Sequence, residues 1–341
     1  MKVSRIANFL SLSREHPWEL APFSEPLATG GTVSVWDTGV VCFEPASPGN
    51  KDIVISCGIH GNETAPIELC DQLLRDLVEG RLSCRHRLLL IFGHPAAMNQ
   101  GVRELEVNLN RLFSGAHERG DSPGLEQQRA ARLELYVGRF FGQRSGAERL
   151  HYDLHTAIRP SKYEKFAIYP YTHGQPYSRR QLAFLRDCEV DTILLAHGPT
   201  TTFSYFSAHR FGAHAFTVEL GKVMPFGQND MRRFKAVDHC LRQLVSEADW
   251  MPAPLEPGQI RVFKVCREII KQSDAFRFHF GKDVANFTAF EPGELLAEDG
   301  EHRWRVDAQR EAVVFPNPAV ANGQRAALMV IDYPLSGSEL D

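Results

Sequence analysis

The sequence predicts an α/β protein: a mixed, largely parallel central sheet flanked by helices, with a smaller β-rich C-terminal domain. Three observations predict it. Short continuous apolar runs recur up to Trp250, with the length and texture of strands buried on both faces. Helical patterns lie between them, and strands alternating with helices make a layered α/β architecture. After Trp250 the texture changes to short β-rich runs separated by Gly, Pro and Asp.

Taken in order, TVSVWDTGVVCF (32–43) reads as strand, turn and strand. The buried-strand runs are DIVISC (52–57), RLLLIF (87–92), RLHYDL (149–154), KFAIY (165–169), DTILLA (191–196) and HAFTV (214–218). Ile67, Cys70, Leu74 and Leu77 mark one face of a helix that Gly80 stops. Leu125, Leu133, Tyr136, Val137 and Phe140 mark a second helix, and Phe234, Val237, Leu241, Leu244 and Val245 a third. MPAPLEPG (251–258) is proline-rich and reads as a linker or domain edge. The expected domains are therefore residues 1–252 and 253–341. The second holds VFKV, FRFHF, NFTAF, AVVFP and ALMVIDY, all strand-like.

With 341 residues the chain is long enough for one large domain and a small one. Its net charge of -4 gives no global basic field to attract nucleic acid or an anionic membrane. No run approaches the ~18 apolar residues of a membrane span. The N-terminal apolar stretch is short, and Arg14, Glu15, His16 and Glu19 follow it, unlike a signal peptide. The seven cysteines are scattered, with no C-x-x-C. That pattern points to reduced thiols in a cytoplasm.

Functional groups of open α/β sheets gather beyond the carboxyl ends of the strands. His60 and Glu63 follow IVISC, His155 closes the run at DLHT, and Glu219 closes AFTV. The loop after RLLLIF carries Arg103, Asn108, Asn110 and Arg111. Two His and one Glu make a three-ligand zinc set with a position left for water. Each residue also has a plainer reading. His60 caps a turn, Glu63 is a first-turn carboxylate favoured by the helix dipole, and His155 is a satisfied core histidine. Glu219 reads either as a general base whose pKa burial raises, or as a partner for Lys222. Arg103 and Arg111 read as solvated loop charges or as carboxylate grips. RPSKYEK (159–165), with Lys162 and Lys165, adds positive charge after His155. A cationic mouth on a chain of negative net charge points to a small anionic substrate.

HGNE, NLNR, DLHT and VELGK, in this order, resemble the succinylglutamate desuccinylase and aspartoacylase family, within the zinc-carboxypeptidase-like fold. HGNETAPIEL, NQGVRE, LNRLF, DLHTAIRPSKYEKFAIYP and FTVELGKVMPFG are similar to its bacterial desuccinylase branch. The resemblance implies hydrolysis of N-succinyl-L-glutamate to succinate and L-glutamate, the last step of arginine catabolism by the succinyltransferase route. It implies one Zn2+ per subunit on His60, Glu63 and His155, and Glu219 as catalytic acid/base. It implies Asn110 and Arg111 as substrate contacts, Arg111 also at the scissile carbonyl, and Arg103 near a further contact. Asn108 departs from the Asp usual in the wider family; it still orients His60 through its side-chain oxygen but adds no charge. The alternatives are another N-acyl amino acid deacylase and a non-catalytic dicarboxylate-binding protein.

Overall fold

The alternation of apolar runs and helical patterns builds one large mixed sheet with helices on both faces. This is seen in a computed structural model, which describes residues 4–119 and 123–341. The N-terminal strands β1 (Phe23–Pro26), β2 (Gly31–Asp37) and β3 (Val40–Pro45) form an antiparallel ribbon. Then come β4 (Lys51–Cys57), β5 (Arg87–Phe92), β6 (Glu148–Ala157), β7 (Phe166–Tyr169), β8 (Thr192–Leu195) and β9 (His214–Lys222). The C-terminal strands are β10 (Arg261–Ile270), β11 (Arg277–Phe278), β12 (Thr288–Phe290), β13 (Leu295–Asp299), β14 (His302–Arg305), β15 (Glu311–Val314) and β16 (Arg325–Asp332).

Spatially the large sheet runs β1-β2-β3-β5-β4-β6-β9-β7-β8-β10-β16-β15-β12. Strands β5, β4, β6 and β9 are mutually parallel, and the outer pairs are mostly antiparallel. From β4 the chain crosses to β5 on one side, while β6 lies on the other. The strand order therefore reverses at β4, and a crevice opens beyond its carboxyl end. Every residue of β4 and β5 is buried, which is why both read as unbroken apolar runs.

Strands β6 and β9 run past their apolar stretches. Pairing between them continues to Ala157 and Lys222, because each finds a parallel neighbour along its whole length. His155 and Glu219 thus lie inside strands rather than after them.

Helices α1 (Phe9–Glu15), α2 (Thr64–Val78), α3 (Pro95–Gln100), α4 (Leu125–Gly142), α5 (Arg179–Asp187), α6 (Phe203–Phe211) and α7 (Lys235–Ser246) cover the sheet. One core packs α2, α5 and α7 against it, through Leu73, Leu182 and Leu241 among others. A second packs α4 and α6 on the opposite face, through Leu133, Phe140 and Phe203. Leu125 does not join the apolar face expected of it. It is the first residue of α4 and is exposed.

The large sheet continues into the C-terminal region, because β10 pairs with β8 in parallel. Beyond it β16, β15 and β12 add antiparallel strands, and β11, β13 and β14 form a separate small sheet. Among the described residues no helix is long and apolar enough to cross a membrane.

Candidate active site

The stretch GIHGNET leaves β4 and enters α2. Gly58 has φ +61, and a Cβ there would lie 2.2 Å from Cε of Met98. A Cβ on Gly61 would lie 2.3 Å from the Ala97 carbonyl carbon. Both glycines let the turn press on α3, and that contact sets the direction in which His60 and Glu63 leave the backbone. The turn is also held by hydrogen bonds from Gly61 N–H to Arg103 O at 3.1 Å and from His94 N–H to Gly58 O at 2.8 Å.

Ligand atoms of His60, Glu63 and His155 lie within 4.8 Å of one another, and all three residues are buried. The histidine ring centroids are 5.0 Å apart. His60 Nε2 donates to Asn108 Oδ1 at 3.1 Å, and His155 Nε2 donates to Asp153 Oδ2 at 2.8 Å. Each ring is thus anchored on its far side, and each turns Nδ1 towards Glu63, at 2.8 and 2.9 Å. His60 Nδ1 is buried with no hydrogen bond of acceptable geometry. Glu63 Oε2 also accepts from Thr156 N–H at 3.0 Å.

Burial and the neighbouring charges set the protonation of these groups. Burial lowers the pKa of His60 to about 4, although Glu63 pulls it upward. Burial acts on His155 in the same direction, but Asp153 and Glu63 outweigh it and hold the ring protonated well above the usual range. Burial would raise the Glu63 carboxyl; His60 and His155 outweigh it and keep Glu63 ionised. Two imidazole nitrogens and a carboxylate converge on one buried point, and two anchored rings surround it. This donor set fits a zinc ion with three protein ligands and an open position.

Glu219 is the register partner of His155 across β6 and β9. It is buried, and its Oε2 has no hydrogen-bond partner, while Lys222 is exposed. Burial, then the nearby Glu63, raise its pKa to about 7, against the pull of His155 and Arg103.

The loop after β5 supplies the remaining predicted residues. Arg103 Nη1 donates to Glu63 Oε1 at 2.6 Å, so this guanidinium sits on a candidate ligand carboxylate. Asn108 Oδ1 accepts from Asn110 N–H at 3.0 Å and caps the short turn Leu109–Arg111. Asn110 is buried, and its Oδ1 accepts from Phe203 N–H at 2.9 Å, which ties the loop to α6. Arg111 is exposed at its surface, and its Nη1 donates to Asn110 O at 2.9 Å. Lost hydration and the Arg325 and Arg103 charges lower its pKa to about 10. Lys162 is exposed on a loop whose backbone N–H bonds Asn286 O of the C-terminal region at 3.1 Å.

Lys165 is not brought to this cluster. Its Nζ lies 2.7 Å from Glu189 Oε2, in a shallow surface depression shared with Tyr163, Glu164, Asp191 and Arg233. Its charge is met there by Glu189, on the loop before β8. Asp153, the partner of His155, was not among the expected residues. Its signal was the two-residue period of a strand, which puts Asp153 and His155 on one face.

The chain is similar to known proteins along almost its whole length. Residues 49–245 match the Succinylglutamate desuccinylase/Aspartoacylase catalytic domain, and residues 258–332 match the AstE/AspA barrel-sandwich hybrid domain. The chain is 50% identical over 337 residues to the succinylglutamate desuccinylase of Idiomarina loihiensis, covering 98% of each. It is 49% identical over 331 residues to that of Shewanella frigidimarina, covering 96% of each. Among solved structures, the Vibrio parahaemolyticus protein superposes with a TM-score of 0.86 at 38% identity, over 95% of this chain and 94% of that one. The Chromobacterium violaceum protein gives 0.85 at 39%, over 97% and 99%. The chain belongs to the succinylglutamate desuccinylase/aspartoacylase family.

Proposed function

We propose that this chain hydrolyses the amide bond of N-succinyl-L-glutamate to succinate and L-glutamate. One zinc ion per chain is held by His60, Glu63 and His155, with Glu219 as the general base. The observation that carries the reading is the convergence of three buried ligand atoms beside a buried, unpartnered carboxylate. The names of the most similar relatives, which cover almost the whole chain, support the substrate.

A zinc ion at this point supplies Lewis acidity, which acidifies water and polarises a carbonyl. Glu219 accepts the proton of the attacking water as its oxygen adds to the succinyl carbonyl carbon. The raised pKa of Glu219 suits a group that must take a proton and give it back near neutral pH. Arg111 stabilises the oxyanion and, with Asn110 and Arg103, orients the substrate carboxylates. Lys162 adds positive charge at the mouth. Glu219 then protonates the glutamate nitrogen as the carbon–nitrogen bond breaks. Water is consumed, and no acyl-enzyme forms. All seven cysteines are free thiols and six are buried, which supports a cytoplasmic protein in which none is a nucleophile. We take residues 1–252 as the catalytic domain and 253–341 as a domain that shapes the cleft. In arginine catabolism by the succinyltransferase route, this reaction is the last step.

The test is glutamate release from N-succinylglutamate, with N-acetylaspartate and N-acetylglutamate alongside, before and after chelation. Release from the succinyl substrate that chelation stops and zinc restores is expected. Preference for an acetyl substrate would move the chain to another branch of the family. Inactivity of zinc-loaded protein on all three would sink the reading.

A further inference from the structure

Behind the proposed ligand His155, the hydrogen bond to Asp153 continues into a buried chain through Ser56, His151 and Ser207 that none of the roles above uses. His155 donates from Nε2 to Asp153 Oδ2 at 2.8 Å. Ser56 Oγ donates to the other oxygen of Asp153, Oδ1, at 2.6 Å. Ser56 Oγ is also 2.8 Å from Nε2 of His151, and His151 Nδ1 is 2.7 Å from Ser207 Oγ. Ser56, His151, Asp153, His155 and Ser207 are all at most 1% exposed. The chain runs from α6 through β6 and β4 and back to β6.

Donor and acceptor roles along it are forced. Asp153 as a carboxylate only accepts, so the Ser56 proton points to it. Ser56 must then accept from His151, which puts the imidazole proton on Nε2. His151 Nδ1 is left as an acceptor for the Ser207 hydroxyl. Every hydrogen bond therefore points towards Asp153. Burial holds His151 neutral, with a pKa of about 4, as this tautomer requires. The edge of its ring against Phe203, at 4.7 Å and 85°, fixes its plane.

We propose that Ser56 and His151 are positioning residues of the metal centre: they hold the carboxylate of Asp153 in the orientation that aims His155 Nδ1 at the ion. A carboxylate gripped at one oxygen cannot rotate away from the imidazole at the other. The His155 ring is then ordered before the ion arrives, and its basicity is raised by a fixed negative charge. The proposal rests on the reading of His155 as a zinc ligand.

The test compares the parent with Ser56→Ala, His151→Leu and His151→Gln. Zinc affinity is measured by competition with a chromogenic chelator, and the melting temperature of each metal-free protein is recorded. Loss of a partner behind a metal ligand typically weakens binding by about 10–100-fold. Ser56→Ala and His151→Leu are expected to weaken zinc binding at least about tenfold. His151→Gln retains a nitrogen donor near Nε2 and is expected to recover most of the affinity. Parent-like affinity in both Ser56→Ala and His151→Leu overturns the proposal. A purely structural role lowers the metal-free melting temperature and leaves the affinity alone. If His151→Leu does not fold, Ser56→Ala and Ser207→Ala, each lacking one hydroxyl, decide the question by the same readout. A parent chain that binds no zinc removes the metal centre itself and this proposal with it. The parent control separates that result from failure of the hydrogen-bond chain alone.

Discussion

His155 and Glu219 sit side by side as register partners on the parallel strands β6 and β9, both buried. Residues paired across parallel strands point to the same face, so the backbone ladder places the proposed base beside the proposed ligand. Glu219→Gln keeps the shape and removes the proton acceptor. It is expected to lower kcat by about 10²–10⁴-fold, the usual share of general acid–base catalysis, with bound zinc unchanged. Steady-state kinetics beside metal analysis check this; a zinc-loaded variant with parental turnover removes Glu219 from the role.

The same residue sets the pH dependence. A base works deprotonated, and burial and Glu63 raise the Glu219 pKa to about 7. Rate therefore rises with pH through the Glu219 pKa and falls about tenfold per unit below it. A bound cation favours the charged carboxylate, so the acid limb of kcat/KM is expected at or below pH 7. A pH–rate profile whose acid limb lies well above this value contradicts the assignment.

Asn108 accepts from His60 Nε2 at 3.1 Å without adding charge. Asn108→Asp keeps the geometry and supplies the missing carboxylate. It is expected to tighten zinc binding by about tenfold, whereas Asn108→Ala weakens it by about 10–100-fold. Asn108→Ala also removes the cap of the turn that carries Arg111, so it is expected to raise KM as well. Chelator competition and substrate titration report the two effects separately.

Glu126 pins the loop between Arg103 and Asn108. Its buried carboxylate accepts from Leu105 N–H at 2.9 Å, Glu106 N–H at 3.0 Å and His94 Nε2 at 3.3 Å. Burial would raise its pKa, but these donors outweigh burial and hold the group below its ordinary range. A depressed carboxyl pKa stabilises the fold above the unfolded value, and the contribution is lost as pH falls through the folded value. Glu126→Ala is expected to destabilise by about 1–3 kcal/mol at neutral pH. The gap between parent and variant narrows in acid. Thermal melts at several pH values test this, and a gap independent of pH counts against it.

Much of this was legible in the chain. Strands β4 and β5 are wholly buried, so their apolar runs marked them almost residue for residue. The four groups His60, Glu63, His155 and Glu219 were legible because each lies where an apolar strand run ends. Lys165 and Lys162 looked alike in sequence, three residues apart on one basic segment. Only Lys165 meets Glu189, an acid 24 residues further on, and no local pattern announces that contact. Likewise the apolar spacing of α4 included Leu125, which the first turn of the helix leaves in solvent.

By itself the sequence determined the layered α/β class and marked His60, Glu63 and His155, residue types that could hold a metal, at the ends of apolar runs. These depend on local period and composition, which short segments express directly. Only the tertiary structure decided which groups face one another. It placed Arg103 on Glu63, tied Asn110 to α6, paired His155 with Glu219 and ran a hydrogen-bond chain from Ser207 to Asp153. Those relations depend on strand order and register between segments 40 to 100 residues apart. They arise only when β4, β6 and β9 pack side by side and water is excluded from between them.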